Sequence, residues 1–294
     1  MRVTSNMMNN QALSDIQNVL RRYGELNEQL TTGKKVRYPS DNATVAARVS
    51  DLDSRIREVQ RYKSNISLAK SYTQMYDSSL QEMSSIYQRV KELSVRGAND
   101  SLSDEDRQAI VTEIDKINDH MKSLANSQVS GKYIYGGAES DKAPVDENGE
   151  IQTSPNANIK KKVSVGGYKV EYGLTAYDVF TTKSGTSVFK HLDRMKDAIG
   201  SGDNAAIDRE LGAIEDIERS ALKGLATVGG NDRLLELSGN RMEDFEQFNT
   251  EFLSKESDAD LAKVLTDLSM QQVVMQSALK TTAKIIPPTL VDFL

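Results

Sequence analysis

His120 and His191 are the only imidazoles in a chain of 294 residues that has no cysteine. Acid–base, nucleophilic and zinc chemistry draw on His and Cys at short spacings, such as two histidines four apart on one helix face. Neither histidine has a neighbour of that kind, so both read as packed or solvated helix residues. Gly33-Lys34 and Gly131-Lys132 lack the earlier glycine of a phosphate-cradling loop, and no G-x-G-x-x-G occurs. Asp146-Glu147-Asn148-Gly149 has the composition of a calcium loop without its alternating ligand positions, which predicts a surface turn. Lys160-Lys161-Lys162 reads as a solvated strand edge, where lysine discourages edge pairing. Met270 and Met275 read as packing side chains. These residue types predict no enzyme, no metal and no cofactor.

What the spacing does offer is contact surface. From Ala259 to Ile286, Leu261, Leu265, Leu268, Met275, Leu279 and Ile286 step by three, four or seven, the period of a helix that buries one stripe. Gln272 and Thr282 interrupt that seam, and Met270, Val273 and Val274 spread apolar surface around the helix. The other end answers it. Ala12, Ile16, Val19, Tyr23, Leu26 and Leu30 alternate steps of four and three. Periodicity allows two readings: the first and last helices pair inside one molecule, or the two ends pair with copies and relatives in a larger assembly.

The elements between the ends set out an order. A short disordered lead and a helix end at Thr32-Gly33, because glycine tolerates the positive φ of a helix C-cap. Pro39 holds Tyr38 out of the helical region, and Ser40, Asp41 or Asn42 can cap the next helix. No Gly or Pro interrupts Ala43 to Arg96, which predicts a helical rod of roughly 80 Å at 1.5 Å per residue. Ser103-Asp104-Glu105-Asp106 is a helix start, with a serine and an acid three residues on. Between Ser130 and Ser187 glycines multiply. Val163 to Val165 and Tyr168 to Tyr172 alternate apolar with polar around Gly166-Gly167, which predicts a hairpin. Helices resume at Val188, and Gly229-Gly230 is either a turn or a local break in a longer rod. Pro287-Pro288 ends the last helix. The fold class is mainly α: an elongated, nested, antiparallel helical bundle with a small β-rich insertion. Three domains are expected: residues 1–42 with 255–294 as a terminal coiled coil, 43–130 with 188–254 as the rods, and 131–187 as the insertion.

Composition narrows the partners. The charge is 27% but mixed, with a net of -6, which argues against nucleic acid. No run has the length of a membrane span, and Met1 to Asn10 lacks the apolar core of a cleaved signal peptide. At 6% aromatic residues, a thin helical rod fits better than a thick core.

Thr31-Thr32-Gly33-Lys34-Lys35-Val36, Pro39-Ser40-Asp41 and Ala46-Ala47 resemble the N-terminal region of the bacterial flagellin superfamily, in its hook-associated, hook–filament junction branch. Gly131-Lys132-Tyr133-Ile134-Tyr135-Gly136-Gly137 resembles the segment closing the N-terminal helical part of that branch. Asp258-Ala259-Asp260-Leu261, Gln271-Gln272 and Leu290-Val291-Asp292-Phe293-Leu294 are similar to the superfamily's C-terminal end. The resemblance implies a flagellin-like fold and a structural adaptor between the hook-side junction protein and the flagellin filament, or else a filament subunit. It implies export through the flagellar type III channel to the extracellular flagellum, and a cytoplasmic export chaperone on the apolar C-terminal end. It also implies a ring-like layer of copies. The assembly residues would be Ile16, Val19, Tyr23, Leu26 and Leu30 on one seam. Leu261, Leu265, Leu268, Met275, Leu279 and Ile286 would form the other, shared with the chaperone. The ends are then expected to order on docking.

Overall fold

Seven helices and four short strands succeed one another in the computed structural model, which describes residues 2–152 and 154–285. They group into two compact units, residues 1–58 with 245–294, and residues 59–244.

In the larger unit the core is built on α2 (Ala43–Gly97), a single helix of 55 residues. It is capped by Asn42, whose Oδ1 accepts from the Val45 amide at 3.1 Å. Tyr76, Leu80, Met83, Tyr87 and Val90 form its buried stripe. Against that cluster pack Ile110, Ile114 and Met121 of α3 (Asp104–Ala125), and Leu192, Met195 and Ile199 of α5 (Val188–Ser201). The predicted start of α3 holds: Ser103 Oγ accepts from the Asp106 amide at 3.1 Å. Gly97 marks a close approach, since a Cβ there would sit 2.9 Å from Ile199 Cγ1.

The insertion carries two antiparallel hairpins. β1 (Gln128–Val129) pairs with β2 (Lys132–Tyr133), and β3 (Lys162–Val165) pairs with β4 (Tyr168–Glu171). Val165 stands opposite Tyr168, so Gly166-Gly167 is the two-residue turn, with φ of 54° and 99°. Both values suit the hairpin turn that matches strand twist. A five-residue helix, α4 (Ala176–Phe180), comes next; its Thr175–Asp178 capping box was not anticipated. An aromatic column ties the insertion to the core. Tyr76 and Tyr135 rings lie 5.3 Å apart, Tyr135 and Phe180 5.2 Å, and Phe180 and Phe189 5.7 Å. Tyr76 also donates to the Leu174 carbonyl at 3.2 Å, and Tyr135 to Ser79 Oγ at 3.0 Å.

α6 (Asn204–Ser257) runs helical through Gly229-Gly230, which resolves the alternatives there. Glycine costs about 1 kcal/mol in a helix interior. Val228 and Leu235, both almost fully buried beside the pair, pin the helix to the core and outweigh that cost. In the smaller unit α1 (Arg2–Thr32) is helical from Arg2, so the expected disordered lead is absent. α7 (Leu261–Ile285) completes that unit. Ile286 and Pro287-Pro288 lie outside the described residues.

Candidate assembly face

The helices α1 and α7 pair antiparallel. Gln271 Nε2 donates to the Val19 carbonyl at 3.1 Å, and Leu26 packs with Val264 and Leu268. On α1 the structure places the seam where the sequence does. Leu26 is buried, and Ile16, Val19, Tyr23 and Leu30 are half-buried.

On α7 the pairing face is different. It runs through Val264, Leu268, Gln271, Met275, Ala278 and Thr282, all buried or half-buried in steps of four and three. Of the described residues of the expected seam, Leu268 and Met275 belong to it. Leu261, Leu265 and Leu279 are 49%, 54% and 51% exposed and lie outside the buried cluster of Leu26, Val264 and Leu268. At 100° per residue the leucine stripe is rotated by roughly 50° from the true face. The physical reason is that α7 is apolar nearly all round, so period alone leaves the facing stripe undetermined. Small or polar Val264, Gln271, Ala278 and Thr282 let the helices meet, while Leu261, Leu265 and Leu279 remain exposed. Met270, expected to pack, is 63% exposed.

The ends of α1 and α6 are clamped where the two terminal motifs meet. Gly33, at φ 71°, turns the chain out of α1. Lys34 and Asp258 then form an antiparallel bridge. Lys35 N donates to the Ser257 carbonyl at 2.7 Å, Ala259 N to the Gly33 carbonyl at 2.8 Å, and Lys34 Nζ to Asp258 Oδ1 at 2.6 Å. Hydrogen bonds from Lys34, Ser254 and Ser257 hold the Asp258 carboxyl well below its usual range, at about 2. The Pro39-Ser40-Asp41 turn has its own logic. Asp41 Oδ2 accepts from the Tyr38 amide at 2.9 Å and the Arg37 amide at 3.2 Å, which lowers its pKa. Arg37 reaches back to Glu28 of α1 at 2.7 Å. Sequence reading found these motifs as markers and missed the clamp, because 224 residues separate Lys34 from Asp258.

The candidate chemistry disperses. His120 Nε2 lies 2.8 Å from Glu82 on the surface, and His191 Nδ1 lies 2.6 Å from Glu210 inside the core. Among the described residues no three His, Cys, Asp or Glu side chains converge as for a metal. Asp146 to Gly149 is a turn, closed by the Gly149 amide on the Asp146 carbonyl at 3.1 Å. Lys161 is not the solvated edge expected. Its Nζ sits 4.2 Å over the Tyr72 ring and donates to the Tyr133 carbonyl, and burial brings its pKa down to about 8. Among the described residues no helix is long and apolar enough to cross a membrane.

Residues 3–140 match the bacterial flagellin N-terminal helical region. Flagellar hook-associated protein 3 of Salmonella typhimurium strain LT2 is 27% identical over 96% of each chain. The flagellar filament 30.7 kDa core protein of Treponema maltophilum is 24% identical, over 87% of this chain and 86% of its own. A solved structure, a putative flagellar hook-associated protein from Vibrio parahaemolyticus, superposes with a TM-score of 0.67 at 22% identity. It covers 74% of this chain and all of that one, which shows a shared fold. With a match to the flagellin N-terminal helical region over residues 3–140 and a likeness to hook-associated protein 3 along nearly all of its length, the chain is similar to the bacterial flagellin superfamily.

Proposed function

We propose that this chain is a structural adaptor of the bacterial flagellum, joining the hook-side junction protein to the flagellin filament, and not an enzyme. The observation that carries the reading is the apolar surplus of the smaller unit. Its described residues bury four apolar side chains and leave fourteen large ones exposed. Soluble monomers seldom leave that much apolar surface open, and further copies and partners are what would cover it. The match to hook-associated protein 3, which spans more of the chain than the match to the filament protein, supports junction over filament.

In this reading α1 and α7 are the assembly element, and copies form one ring-like layer. The outer leucines Leu261, Leu265 and Leu279 face neighbours. Before export the same surface is held by a cytoplasmic chaperone. The chain then leaves through the type III channel to its extracellular place. A cysteine-free sequence suits threading through a narrow channel, since no disulfide can block it. The second reading, a filament subunit, is favoured by the flagellin match to residues 3–140.

Electron microscopy of cells lacking the gene, with an assay for flagellin in the medium, separates these. A junction adaptor leaves hooks without filaments and releases flagellin. A filament subunit leaves filaments shortened or altered in shape. Normal flagella overturn both.

A further inference from the structure

We infer that Phe245, Phe248 and Phe252 on α6 form a docking stripe for α7 of a second copy of this chain. The inference rests on the proposed assembly reading and names a surface within it. These rings are 47%, 66% and 42% exposed, and Phe248 and Phe252 stack 6.3 Å apart with planes 12° from parallel. Phe180 and Phe189, by contrast, are fully buried. The stripe is not turned inward in its own unit. The face of α6 sheltered there carries half-buried Glu246, Asn249, Leu253 and Glu256. The helix thus shelters three polar residues and one leucine while it presents three aromatic rings, where a lone surface helix would turn its apolar stripe inward.

Charge selects the occupant. Phe245 to Ser257 carries Glu246, Glu251 and Glu256 against Lys255, a net of -2. α7 carries Lys263, Lys280 and Lys284 against Asp267, a net of +2, with exposed Leu261, Leu265 and Leu279 to meet the rings. Opposite sign and apolar match both point from α6 of one copy to α7 of another. Magnitude then fixes the setting. Three half-exposed rings of about 200 Å² each offer roughly 300 Å². A stable pair needs about 800 Å² on each partner. The contact is too small to hold a free dimer. It serves in an ordered layer, where each copy is held by several neighbours at once.

The chain has no cysteine, so an engineered thiol pair is its only route to a disulfide. Two differently tagged versions, Phe248→Cys and Leu265→Cys, are expressed together in place of the native gene, and isolated flagella are oxidised. Both sites are more than half exposed, so neither change touches a core. The expected product is a cross-linked dimer bearing both tags, formed only on co-expression. Filaments that attach normally without that dimer overturn the stripe and leave the adaptor reading intact. Phe248→Cys joining only to itself also overturns it, in favour of a stripe-to-stripe contact. Normal filaments in cells lacking the gene altogether overturn the adaptor reading, and the stripe with it.

Discussion

The two units of this molecule handle the same apolar alphabet in opposite ways. Residues 59–244 bury forty apolar side chains and expose eight large ones; the described part of the other unit buries four and exposes fourteen. In the first, Tyr76, Tyr135 and Phe180 meet edge to face in the core, and the Tyr76 hydroxyl finds a carbonyl partner. In the second, two helices share a narrow seam, and Leu26, Val264 and Leu268 are its fully buried members. One unit is finished by its own chain. The other leaves most of its large apolar side chains in water, and under the proposed adaptor role its stability would be tied to what it binds.

The largest break in this comparison comes from the finished core. Phe180 is fully buried between Tyr135 and Phe189. Phe180→Ala should cost about 3–5 kcal/mol, the usual sum of lost burial and a residual cavity. Guanidinium unfolding monitored by tyrosine near-ultraviolet dichroism would read it. A loss below about 1 kcal/mol would mean that the column is not close-packed.

A smaller effect tests the corrected register of α7. Leu268 is 7% exposed and Leu265 is 54% exposed, though both stood on the seam expected from sequence. Leu268→Ala should cost about 2 kcal/mol, at the low end for a buried leucine. Leu265→Ala should stay within about 0.5 kcal/mol. Hydrogen exchange of the α1 and α7 amides measures both. Equal losses would restore the leucine stripe as the pairing face.

Smaller still is the clamp. The folded pKa of Asp258, at about 2, lies below its ordinary value, so the unfolded chain binds the proton more tightly. The stabilisation is therefore complete above about pH 4 and fades as pH falls through 2. Lys34 and Asp258 are nearly half exposed, so the pair is worth only about 0.2–1 kcal/mol. Asp258→Asn should remove that acid-sensitive step from exchange at residues 33–35 and 257–259. If the variant keeps the step, another carboxylate carries it.

How much of this was legible depended on how uniquely a pattern names its partner. On α1 the alternating steps of four and three through Ile16, Val19, Tyr23, Leu26 and Leu30 coincide with its buried and half-buried positions, while Leu13 and Leu20 fall off that spacing and are exposed. The hairpin at Gly166-Gly167 was readable because two-residue hairpin turns call for positive φ, which two glycines between alternating strands supply at little cost. α7 misled because leucine marks apolarity and not facing. Thr282 looked like an interruption and is on the seam. Lys161 looked solvated because sequence shows a run of three lysines and cannot show that Tyr72 lies beneath the middle one. The Lys34–Asp258 clamp needed the ends brought together in space, which no local pattern records.

The smallest effect on stability should accompany a large effect on assembly, and it separates the two roles of α7 most cleanly. Leu279 is 51% exposed and off the pairing face. Leu279→Ser removes apolar surface that the free chain already leaves in water, so unfolding should shift by no more than about 0.5 kcal/mol. In an assembly that buries the same side chain, its loss forfeits about 1.5–3 kcal/mol at every copy around the layer. Repeated across the layer, that deficit should cut filament attachment and swimming while leaving the purified protein unchanged. Leu268→Asp gives the contrast, since it should disturb the α1–α7 pair in the free chain as well. If Leu279→Ser cells swim normally with full filaments, the outer leucines are not contacts, and the apolar surplus of this unit must be met on another face.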